Sequence, residues 1–406
     1  MMHLMKFKNN RYRFFKFGWR IFLIAMVLII ITYAAIQSVI KFTSPRHYSS
    51  TPAKTITVNH PLETELYFNN SVGEAGALDI IKKQIDEAQY SIEIAVYSFN
   101  SVDLKNALYA ADKRGVRITL VLDKSLFGQH DLFLVDMPSD IKRIDAGAFD
   151  PNNSLNTYYM HDKFIITDFG YPSEKITTGS LNFTDLGEKF NQSFLLSTTD
   201  NNIISLYENE FDLLAHGLSG IKKLSTADYN PWAATINYSD SFLQVWFSPG
   251  LGGQSLKQRI LGSIKSAKQT IDIMMWELTD EDITHALEQK ADAGVNIRIV
   301  AEQKTAFSTS STVSNLINFE KKNPTHLEVI LDTKLAQQTT APLPDNFTPY
   351  IHHHMMIVDG STLIFGSSNW STWGFYHNDE NALITNSPSL IAQFQDSFDH
   401  FYTLLK

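Results

Sequence analysis

Two short phrases hold the residues able to do chemistry. His161-x-Lys163 is followed after four residues by Asp168, and His352-x-His354, 191 residues further on, is followed after four by Asp359. Behind each stands a Gly-Ser-x-Asn sequence, Gly179-Ser180-Leu181-Asn182 and Gly366-Ser367-Ser368-Asn369. Two histidines from two copies suit one displacement at phosphorus. One imidazole attacks, and the other hands a proton to the leaving group. His161 and Lys163 enter the apolar strand Phe164-Ile165-Ile166-Thr167, where alternation puts them on one face. Imidazole, ammonium, hydroxyl and carboxamide together make an oxyanion site for phosphate. Lys163 is suited to a non-bridging oxygen, and Ser180, Asn182, Ser367 and Asn369 are read as substrate-binding donors. The small residues let the backbone come close to a ligand.

The elements that must position these phrases are duplicated too. Ile81, Ile85, Ala88, Ile92 and Ile94 recur 179 residues later as Ile260, Ile264, Ala267, Ile271 and Ile273. At the same offset, Ala107, Leu108, Gly115, Val116, Ile118 and Val121 recur as Ala286, Leu287, Gly294, Val295, Ile297 and Val300. A constant offset over such a stretch marks two structural repeats. Each reads helix, strand, helix, strand: Ala77–Ala88, Ser91–Tyr97, Ser101–Lys113 and Val116–Leu122 in the first, with Gly115 as a C-cap. Short apolar strands alternating with helices predict an α/β fold, a sheet covered by helices in each repeat, over residues 62–236 and 237–406. The stretches 124–158 and 303–350 lead into the histidine phrases, and 337–349, rich in Thr and Pro, reads as a mobile lid. Trp276 and Glu277, after the strand of the second repeat, read as core packing and surface exposure, with lining of the pocket as the other reading, and the pairs Met274-Met275 and Met355-Met356 read as core.

Composition narrows the class. There is no cysteine among the 406 residues, which excludes disulfides, thiolate nucleophiles and cysteine metal sites. The net charge of −9 divides unevenly, with seven bases and no acid in residues 1–41. The acidic remainder is unlike a protein that coats nucleic acid. Ile21–Ile40 is a run of twenty mostly apolar residues, enough helix to span a bilayer core of about 30 Å. Six bases precede it, so the positive-inside rule makes 1–20 cytoplasmic, 21–40 a single-pass signal anchor and the body extracytoplasmic, periplasmic or on the secreted side. A cleaved signal peptide is the competing reading. Residues 41–61 read as a linker.

The paired phrases closely resemble the mark of the phospholipase D superfamily: His-x-Lys, four residues, Asp, six residues, Gly-Ser-x-Asn, given twice. The resemblance covers residues 62–406 and extends to Phe183-Thr184 and Trp370-Ser371 behind the two asparagines. It implies a pseudo-twofold pair of α/β repeats with one site at their interface, a phosphohistidine intermediate, and no metal or other cofactor. It also implies aspartates, Asp168 and Asp359, that support structure rather than react. Two departures stand out. His354 replaces the second lysine, and ten residues rather than six separate Asp168 from Gly179. The acidic residue that the family places eleven after the asparagine is Glu380 in the second copy but Ser193 in the first. The resemblance therefore implies a composite site of His161, Lys163, His352, His354 and Glu380. In it His161 attacks, while His352, oriented by Glu380, serves as general acid and then base; the reverse assignment stays open.

A histidine in place of lysine carries charge only when protonated. The expectation is an activity optimum at roughly pH 5–6. His352 and His354 share a face while His353 points away to pack, and no cysteine or close carboxylate completes a metal site. The expected function is a membrane-anchored phosphodiesterase acting on phospholipid. The alternatives are a nuclease of the same family, since Gly179–Thr184 also resembles its bacterial nucleases, and a non-catalytic phosphate- or lipid-binding protein.

Overall fold

A computed structural model describes residues 54–406, except 70–71, 73–75, 150–156, 227–228, 253–254, 323, 325, 340 and 346. The anchor expected at 21–40 and the basic segment before it lie outside the described residues. Among the described residues no helix is long and apolar enough to cross a membrane.

The strands are β1 (Lys54–Thr57), β2 (Glu65–Phe68), β3 (Ser91–Val96), β4 (Arg117–Asp123), β5 (Lys142–Ala146), β6 (Lys163–Thr167), β7 (Lys175–Gly179) and β8 (Phe194–Thr198). The chain continues with β9 (Trp232–Asn237), β10 (Phe242–Ser248), β11 (Thr270–Met275), β12 (Asn296–Ala301), β13 (Leu327–Leu331), β14 (His354–Val358), β15 (Thr362–Gly366) and β16 (Glu380–Thr385). They form two mixed sheets of one design. The first runs β2-β8-β7-β6-β3-β4-β5, and the second β1-β9-β10-β16-β15-β14-β11-β12-β13. In both, three parallel strands adjoin a block of antiparallel ones. β1, inside the stretch read as linker, pairs in parallel with β9, so its residues are part of the second sheet. β9 also belongs to that sheet, which puts 232–237 with the second half.

Alternation along each strand serves two cores. Phe164 and Ile166 of β6 face the space between the sheets, and Ile165 faces outward. Helices Ala77–Glu87 and Val102–Lys113 cover the outer face of the first sheet, and Leu256–Ser266, Glu281–Asp292 and Val313–Lys322 that of the second. Helix Val102–Lys113 buries Leu104, Ala107, Leu108 and Ala111, one stripe at helical spacing, and starts where Ser101 accepts the Leu104 amide. Helices Asn201–Ala215 and Pro388–Leu405 fill the middle layer, with Phe394 packed on Phe68 and Phe194 of one sheet and Phe365 of the other. The four methionines of the two pairs are buried, Met274 and Met355 facing inward, Met275 and Met356 outward. Ala341, Leu343 and Phe347 pack against the central core, so the segment expected to be a lid is anchored there.

The aspartates of the two phrases hold turns together. Asp168 and Asp359 have φ of 53° and 52°, left-handed values that Asp tolerates better than most side chains. The Asp168 carboxylate accepts the amides of Gln89, Tyr90 and Ser91 at 2.7–3.2 Å and the Ser173 hydroxyl at 2.8 Å. Asp359 does the same for Lys268, Gln269 and Thr270 at 2.7–2.9 Å. Each thus ties the hairpin of its phrase to the start of a neighbouring central strand. Asp168→Ala should cost about 3 kcal/mol in urea unfolding, because three amides, that of Ser91 buried, lose their acceptor and Ala resists the turn geometry. Asp168→Asn should recover part of this loss.

Candidate active site

Each histidine arrives on a segment pinned to the opposite half. The His161 amide donates to the Asp379 carbonyl at 2.9 Å, and the Asp379 amide to the Tyr159 carbonyl at 2.9 Å. In the second copy the His352 amide donates to the Gln192 carbonyl at 2.8 Å, and the Gln192 amide to the Tyr350 carbonyl at 3.0 Å. Two carboxylates fix the approach. Asp123 accepts the Met160 amide at 2.7 Å and Asp332 the Ile351 amide at 2.8 Å. Burial pushes both carboxyls up to about 7.

The residue after each crossover decides the chemistry. After Asp379 comes Glu380, whose Oε2 lies 2.9 Å from Nδ1 of His161. After Gln192 comes Ser193, whose hydroxyl has no partner among the described residues. Glu380 therefore orients His161, from the other half, and not His352 as the sequence suggested. The reason is the crossing itself, which gives each histidine the partner position of the opposite repeat. The Ser367 hydroxyl donates to the same Glu380 oxygen at 2.8 Å, and Asn378 donates to the other at 3.4 Å. Burial still pushes the Glu380 carboxyl up to about 8, opposed by Lys163 and these donors. Lys163 is fully enclosed, with its ammonium on the His161 carbonyl at 2.7 Å, and burial brings it down to about 8. Burial, then the Lys163 charge, holds His161 well below the ordinary histidine range, while a hydrogen bond to the Ser367 backbone opposes them. His352 is held down by burial, Lys163 and His161, against a hydrogen bond to the Ser180 backbone. His352 thus lies within the fields of Lys163 and His161, and each imidazole rests on the Gly-Ser turn of the opposite half.

His354 sits with its ring centroid 5.2 Å from that of His352. Its Nδ1 is 3.1 Å from the Ser368 carbonyl oxygen, so Nδ1 carries the proton of the neutral ring and Nε2 is bare. Burial, followed by His352, Lys163 and His161, holds it far below the ordinary range. A cationic His354 near neutrality is therefore not what the site holds, and the acidic optimum it implied loses its basis. His353 points into the central core between Phe68, Phe194 and Phe401, with ring centroids 6.0 Å from each.

The Gly-Ser turns act first on the protein. A Cβ on Gly179 would stand 2.1 Å from the Phe194 carbonyl oxygen, and one on Gly366 2.3 Å from that of Asn381. These glycines admit the neighbouring strand rather than a ligand. Ser180 accepts the Phe194 amide at 3.2 Å and Ser367 the Asn381 amide at 3.0 Å. Asn369 lines the cleft, and the side-chain oxygens of Asn182 and Asn369 have no partner among the described residues.

Sequence reasoning missed Tyr97 and Lys223 and set Trp276 and Glu277 aside. Tyr97 and Trp276, equivalent by the 179-residue offset, stand beside His161 and His352 at 4.9 and 5.8 Å between ring centroids. That offset was the signal available for them. Trp276 and Glu277 line the cleft rather than the core or the outer surface. Nothing in the sequence singled out Lys223. It is fully enclosed, paired with Glu210, and bound to Asp379 at 2.7 Å and the Ser248 carbonyl at 2.9 Å. Burial opposes its charge, but Asp379 and Glu210 outweigh it and hold the ammonium well above its ordinary range.

The cleft above His161 measures about 860 Å³ and takes walls from both halves. Among the described residues lining it there is no lysine or arginine.

A family model described as cardiolipin synthase, PLD-like domain, matches residues 81–215 and 260–402, one stretch in each half. The chain belongs to the phospholipase D superfamily. It is similar to a mitochondrial cardiolipin hydrolase of Chlamydomonas reinhardtii, 28% identical over 148 residues that make 36% of this chain and 58% of that protein. It is also similar to a phospholipase D of Rickettsia prowazekii, 27% identical over 209 residues, 50% of this chain and 92% of that protein. The chain spans little more than half the length of the cardiolipin hydrolases it matches. A solved phosphatidylserine synthase from Haemophilus influenzae shares the fold, with a TM-score of 0.59 at 15% identity over 84% of this chain and 89% of that one.

Two outcomes test the geometry. Glu380→Gln should lower kcat by roughly 10²-fold or more, because an uncharged carboxamide, which can also turn its NH2 toward Nδ1, no longer selects one tautomer of His161. A kcat near the parent value would remove Glu380 from the site. The pH profile of kcat/KM should fall as pH rises through about 8, where Lys163 loses its proton. Its acid limb should lie below roughly pH 6.5, since both buried imidazoles resist protonation. A maximum at roughly pH 5–6 with activity gone by 7 would contradict these assignments.

Proposed function

We propose that this chain is a phosphodiesterase of phospholipase D type, hydrolysing phospholipid or exchanging its head group through a phosphohistidine on His161. The observation that carries this reading is the 2.9 Å contact between Glu380 of one half and His161 of the other, with the Lys163 ammonium enclosed beside it. With Nδ1–H given to the carboxylate, Nε2 of His161 holds the lone pair that attacks phosphorus. The P–N bond forms as the P–O bond to the leaving alcohol breaks, and His352 gives that oxygen its proton. Water then attacks phosphorus, His352 takes the proton back, and the P–N bond breaks. Lys163 neutralises charge on a non-bridging oxygen, and the bound phosphodiester offsets the field that keeps His352 neutral in the free protein.

Lipid is favoured over nucleic acid by the cleft, whose described walls offer no lysine or arginine to a polyanion. The names of the relatives, cardiolipin hydrolase and phospholipase D, point the same way. The apolar run 21–40 supports a single-pass anchor that holds the body beside its substrate, outside the cytoplasm.

The full chain in mixed micelles should hydrolyse phosphatidylcholine and bis-p-nitrophenyl phosphate but not single-stranded DNA. His161→Ala should abolish turnover by roughly 10³-fold or more. With the nitrophenyl ester, whose leaving group needs no proton, His352→Ala should accumulate label on His161. Label on His352 in the parent would reverse the roles; cleavage of DNA alone would select a nuclease.

A further inference from the structure

The crossover that carries His161 has two faces, and the displacement at phosphorus uses one of them. Side chains alternate along extended chain, so His161, Lys163 and Glu380 stand on the side of the site, and Asp162, Asp379 and Asn381 on the side of the middle layer. The Asn381 carboxamide donates to Oδ1 of Asp162 at 2.8 Å and accepts the Tyr207 hydroxyl at 3.1 Å. The Lys223 ammonium holds Asp379 at 2.7 Å, and its charge reaches Asp162. Asp162, Asp379 and Lys223 are fully enclosed. The other crossover is built without such a layer. His353 stands there in the place of Asp162, among Phe68, Phe194 and Phe401. Gln192 and Phe194 take the places of Asp379 and Asn381, and the residue in front is the neutral His354 rather than a lysine. The buried carboxylate thus accompanies the lysine, and the fold closes a crossover without it.

An enclosed ammonium sheds its proton unless carboxylates face it. Against burial, Lys163 is supported by Glu380, then Asp162, then Asp123. The histidines around it, His161, His352 and His354, are held neutral and add no counter-charge. Glu380 already serves His161 and Ser367, and burial pushes its carboxyl up to about 8. Burial raises the Asp162 carboxyl as well; Lys223, the Asn381 donor and Lys163 oppose this, and Glu380 adds to it. The other groups facing Asp162 are Glu210 and Asp379, which share Lys223, and the phenols of Tyr207 and Tyr229, which burial keeps protonated. Resting on the phosphodiesterase reading, we infer that Asp162, backed by Lys223 and oriented by Asn381, is a positioning residue of the reaction. It touches no reacting atom. Its carboxylate keeps Lys163 an ammonium, ready for a non-bridging oxygen of the phosphate.

The test is the alkaline limb of kcat/KM for bis-p-nitrophenyl phosphate, measured on the full chain in detergent micelles, with circular dichroism to establish folding. In Asp162→Asn the side chain keeps its shape and its acceptor for Asn381 but loses its charge. The limb should move down by roughly one pH unit, the scale on which one close opposite charge acts, while the plateau at lower pH is retained. Asn381→Leu removes the donor that keeps Asp162 ionised, and should move the limb in the same direction. Tyr207→Phe, which takes a hydroxyl from the same layer without changing its charge, should leave the limb in place. A purely structural layer predicts lower rates with an unmoved limb in all three. If the parent cleaves the ester and the limb stays put in Asp162→Asn and Asn381→Leu, or moves as far in Tyr207→Phe, the positioning role is refuted and the phosphodiesterase stands. Should Asp162→Asn fail to fold, Asn381→Leu decides alone by the same criterion. If the parent cleaves neither this ester nor phosphatidylcholine at any pH, the phosphodiesterase reading fails and takes the role of Asp162 with it.

Discussion

The site exists because two strand ends cross between the halves and exchange backbone hydrogen bonds, Met160 with Asp379 and Ile351 with Gln192. These bridges set the register to a single residue. Side chains alternate along extended chain, so a slip of one position would present Asp379 or Asn381 to His161 in place of Glu380. Everything that distinguishes the two histidines follows from that register. It also explains the buried carboxylates of Asp123 and Asp332. Each catches the last amide before a crossover and so holds the segment at its exit from the sheet.

A nearly symmetric frame carries an asymmetric set of groups. Lys163 faces His354 across the pseudo-twofold relation, and Glu380 faces Ser193. Lys163 and Glu380 therefore both gather around His161, one from two residues further along the chain and one through the crossover. Burial raises the Glu380 carboxyl and lowers both imidazoles, so their enclosure disfavours charge on all three groups.

Much of this was legible in the sequence. The two phrases, the 179-residue offset and the apolar alternation gave the repeats, the central strands and the residues that converge. Those signals are local, and local periodicity is what sequence records best. The pairing of Glu380 was misjudged because a crossover is not written in either repeat alone. The fate of 337–349 was misjudged because composition marks a loop but not the core residues, such as Phe190, that capture its Phe347. The charge state of His354 depended on burial and on three cationic or basic neighbours, all fixed only by the tertiary fold. The aspartates of the phrases, in contrast, behave as the family resemblance implied.

Lys223 gives the molecule a further property. Its ammonium is held at once by Glu210 on the middle-layer helix, by the Ser248 carbonyl at the end of β10 and by Asp379, the crossover partner of His161. Drawing the halves apart would strand that cation, with its carboxylates, in a medium that cannot solvate them. The groups around His161 are therefore assembled by the fold itself, with their dipoles already aligned. Reorganisation that a flexible cluster of polar groups would need has here been completed once, at folding.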